Sequence, residues 1–174
     1  LMVASGSALL PLMVPLAVEH LHAGNGGFAL LEGAVAVGAP AGALLTGALH
    51  TPRRGLLMII GAFGMGAATI MAGLSPSLPL TAIFLAIGGI ANMVYFVPMV
   101  TAIQEHTEPQ VRGRIFATRF AVVQVGVLLG AVYATIATSA VLPKSAAGIA
   151  VVGSGALMIG VAIWAGIWSP IRKV

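Results

Sequence analysis

The chain has 174 residues, 59% of them hydrophobic and 7% charged, with a formal net charge of +4. A soluble domain of this size lacks the interior to hide so much apolar chain, so the composition excludes an ordinary globular fold. Cysteine is absent, which removes disulfides and thiolate chemistry, and the basic residues lie in short connections beside apolar runs, where topology accounts for them and nucleic-acid binding need not be invoked.

Six apolar runs follow one another: residues 1–18, 28–49, 56–74, 78–101, 115–138 and 146–168. About 20 residues, rising roughly 1.5 Å each, cross the roughly 30 Å hydrocarbon core of a bilayer. Each run therefore predicts a membrane-crossing helix. The chain as a whole predicts an all-α, polytopic membrane protein: one six-span domain over residues 1–174. The first run opens directly at Leu1 without a charged leader and does not resemble a signal peptide. The expectation is a portion of a longer polypeptide. Pro11 and Pro15 lie one turn apart in this run and favour a bend.

The second run carries Glu32 about one turn inside its start, then Gly38 and Gly42 as a G-x-x-x-G pair. Small residues at that spacing let helix backbones approach closely in lipid, where little hydrophobic drive acts between helices. The third run is studded with Gly61, Gly64 and Gly66. The fourth differs in kind. It holds the Gly88-Gly89 pair, Asn92, Tyr95, Phe96, Pro98 and Met99, a combination that lowers the resistance to bending and places polar and aromatic groups on one face. The fifth has Gln124 near its middle, Gly126 and Gly130 at packing distance, and Tyr133 beyond. The sixth ends with Trp164 and Trp168, four apart, as expected at a membrane–water interface.

Charge fixes the expected orientation. Arg53, Arg54, Arg112, Arg114, Arg119, Arg172 and Lys173 follow even-numbered runs or open the next one, whereas the opposite side has Lys144 alone. The positive-inside rule then puts both ends in the cytoplasm. His20, His22, His50 and His106 sit at run ends or in connections, so no metal site is expected. Ser154 lies between two glycines, but no histidine within a run could serve as its base, and no enzyme activity is expected.

Asn92 and Gln124 are the amides expected deepest in the membrane. They either hydrogen-bond between helices or line a cavity with Tyr95, Phe96, Met99 and Tyr133, without fixed charge. Such a cavity would favour lipophilic or amphiphilic small molecules.

The stretch Gln104-Glu-His-Thr-Glu-Pro-Gln-Val-Arg-Gly-Arg-Ile-Phe116 resembles the loop between the tenth and eleventh helices of major facilitator superfamily transporters, in the bacterial macrolide-efflux and enterobactin-exporter-like branch. Pro109, Arg112, Gly113, Arg114, Ile115 and Phe116 occupy the matching places. Gly47 to Gly55, with Arg53 and Arg54, resembles a degenerate copy of the family's cytoplasmic signature, with His50 and Thr51 where an aspartate would stand. The resemblance implies that the six runs match family helices seven to twelve, and that Glu32, Asn92, Tyr95 and Gln124 are among the residues lining the central cavity. It also implies a C-terminal half that works with an N-terminal six-helix half in the bacterial cytoplasmic membrane. The implied function is proton-driven efflux of small lipophilic or amphiphilic compounds without a cofactor. A non-transporting scaffold, a truncated remnant and a nutrient importer are the competing readings.

Overall fold

A computed structural model describes residues 12–14, 16–49, 53–138 and 146–168. The described residues are helical apart from short connections. Among the described residues, a π-helical turn at Leu16–His20 precedes α1 (Gly24–Ala48), α2 (Arg54–Leu74), α3 (Leu78–His106), α4 (Pro109–Thr138) and α5 (Ala146–Trp168). Four stretches, Gly24–Ala48, Arg54–Leu74, Leu78–His106 and Pro109–Val132, are long and apolar enough to cross a membrane, and Gly148–Trp164 is a shorter apolar helix. Most of the first expected run, with Pro11 and Pro15, lies outside the described residues.

Two connections differ from the sequence expectation. The stretch expected as a loop over 104–114 is almost wholly helical: α3 continues to His106, and α4 already begins at Pro109. Proline at a helix start is tolerated because its missing N–H would be unpaired there anyway. The junction is thus Thr107 and Glu108, braced by Arg112 Nε donating to the Thr107 carbonyl at 2.9 Å. At the other end of the second expected run, the chain becomes helical at Gly24, ahead of Phe28. The turn into α1 uses the left-handed backbone region at His22 (φ 51°) and at Gly24 (φ 59°), and glycine adopts that region without a steric penalty.

Helix interiors tolerate two prolines. Pro40 sits within α1 and Pro98 within α3, and both helices continue through them. Three buried hydroxyls are satisfied along their own helices. Thr46 donates to the Gly42 carbonyl at 2.7 Å, Thr69 to that of Met65 at 2.9 Å, and Ser154 to that of Val151 at 2.7 Å. Without these bonds each hydroxyl would be an unpaired buried group.

Glycine faces lock the helices together. A Cβ at Gly38 would overlap the Ala86 carbonyl and one at Gly42 the Ile90 carbonyl, so α1 and α3 run parallel in direct backbone contact. On the opposite side of α3, Gly61 of α2 lies against the backbone of Ala91 and Tyr95, in antiparallel pairing. Gly66 of α2 and Gly155 of α5 face one another: a Cβ on either would come within 2.9 Å of the other's carbonyl oxygen or closer. The order across the bundle is therefore α1, α3, α2, α5. The segment ahead of α1 fits between the two outer helices, burying Leu12, Met13, Leu16 and Ala17 against Leu31, Ala72, Leu85, Ala150 and Val151. Among the described residues, α4 touches α3 and α5 only lightly.

Candidate functional site

At one end of the bundle, Arg54 from the start of α2 donates to the Glu105 carboxylate from the last turn of α3. Helix α3 has 29 residues, about 43 Å at 1.5 Å each against a roughly 30 Å hydrocarbon layer, and its apolar run ends at Thr101, so the polar last turn with Gln104, Glu105 and His106 lies outside the layer. The Arg54 hydrogen bond, helped by its charge and that of His106, holds the Glu105 carboxyl below the usual glutamate range. Both side chains remain partly exposed, so the pair is screened by salt and worth little in stability. Arg53 is exposed beside it.

The residues expected to line a cavity lie on α1, α3 and α4. Glu32 and Gln124 are exposed on α1 and α4. Asn92 turns toward α2, where its Nδ2 donates to Met65 Sδ at 3.1 Å. Met99 is buried, and Tyr95 and Phe96 are half-buried on α3. The side chain of Tyr133 lies outside the described residues. Of the expected packing glycines, Gly38, Gly42 and Gly89 make backbone contacts, while Gly88 meets only the Ala68 methyl at 3.5 Å. Gly126 and Gly130 are buried on α4, and Gly113 is in open space.

A different residue organises the α3–α4 flank. Arg119 lies ten residues past Pro109, about 15 Å along α4. Its guanidinium sits over the Phe96 ring, 4.9 Å from the centroid, an electrostatically favourable placement of a cation on a ring face. Its Nε is buried without a hydrogen-bond partner among the described residues. Beside it runs an open groove of ≈ 430 Å³ lined by Val111, Arg114, Ile115, Thr118, Arg119 and Val122. Thr118 spends its hydroxyl proton on the Arg114 carbonyl at 2.9 Å.

Sequence reasoning counted Arg119 only for topology. The signal was available nonetheless: Arg119 and Glu32 are the only charged residues inside any of the six apolar runs. No group of three or more metal-ligating side chains occurs among the described residues. Compared with protein-family models, curated proteins and solved structures, the chain matches none.

Proposed function

We propose that the chain is the C-terminal six-helix half of a proton-coupled membrane exporter for small amphiphilic molecules, with both ends cytoplasmic. The observation that carries the reading is Arg119. An ionisable side chain held within an apolar helix is costly, and such residues typically face a bundle interior or a solute pathway. Here it rests on Phe96 and borders an open groove. The helix arrangement supports the same reading. Among the described residues four helices interlock, three pairs of them through glycine faces, while α4 is lightly held. A rigid body carrying one loosely attached helix suits alternating exposure of a site. The Pro109 to Phe116 motif, resembling that of the efflux branch, points the same way.

The test is flux in proteoliposomes. The chain is reconstituted alone and joined to its N-terminal half, and a panel of amphiphilic dyes and antibiotics is followed under an imposed proton gradient. Gradient-dependent flux from the joined halves, lost in Arg119→Gln, is the expected result. Folded protein with no flux in either form would overturn the reading in favour of a non-transporting scaffold, which the interlocked glycine faces would equally serve.

A further inference from the structure

The groove on α4 has a definite chemical pattern. At about 100° per residue, Val111, Ile115, Thr118 and Val122 form one narrow stripe. Arg114 and Arg119 flank that stripe, about 140° apart around the helix axis. The floor is thus mainly apolar and both edges are guanidinium groups. From Val111 to Val122 the groove runs about 16 Å, enough for a charged head and a short alkyl chain lying along the helix.

No ion pair answers the charges: Glu108, the nearest acid in sequence, stands exposed just ahead of α4 and pairs with none of its arginines among the described residues. Helix α4 contains three arginines and neither Asp nor Glu. Arg112 directs its Nε to the Thr107 carbonyl. Glu105, on the preceding helix, is engaged by Arg54. Arg114 and Arg119 form no ion pair among the described residues, and the Arg119 Nε–H is buried and unpaired. A buried donor of this kind is satisfied well by an acceptor that carries charge, and arginine suits carboxylate and phosphate oxygens in particular.

We propose that this groove binds an anionic amphiphile, a phosphate or carboxylate head with an apolar tail. Arg114 and Arg119 contact the head, and Val111, Ile115 and Val122 contact the tail. The proposal deepens the transport reading by naming a substrate class, and it rests on that reading only if the ligand is a carried solute. The same chemistry is presented by an anionic lipid of the surrounding bilayer.

The test measures binding, without any gradient, to the purified chain in a neutral maltoside detergent. Dodecyl phosphate is titrated beside dodecylphosphocholine, which has the same tail and no net charge, and beside inorganic phosphate, which has no tail. Dodecyl phosphate binds more tightly than either, and Arg119→Gln and Arg114→Gln each weaken it about tenfold or more, as expected for loss of a charge-assisted contact. Arg114 is exposed, so its variant reports on the site even if Arg119→Gln disturbs packing. Far-ultraviolet circular dichroism verifies that both variants are folded.

Equal affinity for dodecyl phosphate and dodecylphosphocholine, or unchanged binding in both arginine variants, would overturn the proposal. Repeating the titration in phosphatidylcholine nanodiscs with and without phosphatidylglycerol assigns the source. Displacement by phosphatidylglycerol identifies a lipid headgroup, and its failure to displace identifies a soluble amphiphile, the site standing in either case. Binding without proteoliposome flux would overturn transport and keep the site. Flux with no arginine-dependent binding would do the reverse.

Discussion

Replacing Gly89 by alanine tests whether backbone contact between α1 and α3 holds the bundle together. A Cβ at Gly89 would lie 2.5 Å from the Val35 carbonyl oxygen and 3.2 Å from the Ala39 amide nitrogen. An ordinary carbon–oxygen contact is roughly 3.3–3.6 Å, so the helices must separate by about 0.8–1.1 Å or bend. A gap of that size forfeits about a quarter to a half of the dispersion attraction along the contact, and overpacking of a close-packed interior typically destabilises by about 1–3 kcal/mol. Alanine also changes intrinsic helix propensity, by up to about 1 kcal/mol, which would blur a single measurement. Gly33→Ala supplies the correction. Gly33 also lies inside a helix, is exposed, and has nothing within 4 Å of its would-be Cβ. The propensity change is common to both variants, so the difference between them isolates the steric effect. Reversible unfolding of the purified chain in mixed micelles, followed by far-ultraviolet circular dichroism, should place Gly89→Ala about 1–3 kcal/mol below Gly33→Ala. Equal stability of the two variants would show that α1 and α3 are not packed backbone to backbone at this point, and would refute the α1–α3 adjacency in the helix order.

Other consequences are more local. Arg54→Gln should return the Glu105 titration, followed by carbon-13 NMR of the side-chain carboxyl, upward toward the ordinary glutamate range. The sign follows from linkage: a depressed folded value means that the pair's contribution is present above the unfolded pKa of about 4.3 and fades as pH falls through the folded value. Added salt should shrink the difference between parent and variant. Asn92→Leu removes the Nδ2 to Met65 Sδ hydrogen bond and should lower stability by about 1 kcal/mol or less, with no change in flux, because the amide is directed at α2. Arg112→Ala removes the brace on the Thr107 carbonyl, and limited proteolysis should then cut faster at the α3–α4 junction. Unchanged cleavage there would show that the brace is dispensable.

The helical class was legible because apolar run length is a strong, one-dimensional signal, and α2 and α3 begin within two residues of the positions that hydropathy gives them. The packing role of Gly38 and Gly42 was legible for a similar reason: a four-residue spacing puts both on one face, and only close backbone approach makes use of two missing side chains there. What contacts them was not legible, since spacing within α1 carries no information about Ala86 and Ile90 of α3. The Gln104 to Arg114 stretch was misread as a loop. It falls between the fourth and fifth apolar runs, but proline opens α4 there and helix geometry continues through both arginines. Which of the expected cavity residues meet was not legible, because periodicity gives the face of a residue only relative to its own helix. Asn92 and Gln124 each lie on a definite face, but one faces Met65 and the other is exposed on α4.

Arg119 shows how sequence and structure divide the work at a site. Its position inside an apolar run identifies a residue held against a considerable electrostatic cost, but the run alone cannot say what offsets that cost. The structure supplies one part, the Phe96 ring beneath the guanidinium, and leaves the Nε–H without an acceptor. If the arginine served only to orient the chain by the positive-inside rule, a lysine extending to the interface would do as well, and neither the aromatic seat nor the groove would be needed. Arg119→Lys separates these roles. Orientation depends on charge alone and should survive, as read by accessibility of single cysteines introduced in the connections. Anion binding depends on the planar donor set and the ring contact, for which lysine is a poor substitute, and should fall. Loss of correct orientation with unimpaired anion binding would reverse the assignment and make Arg119 a topology determinant.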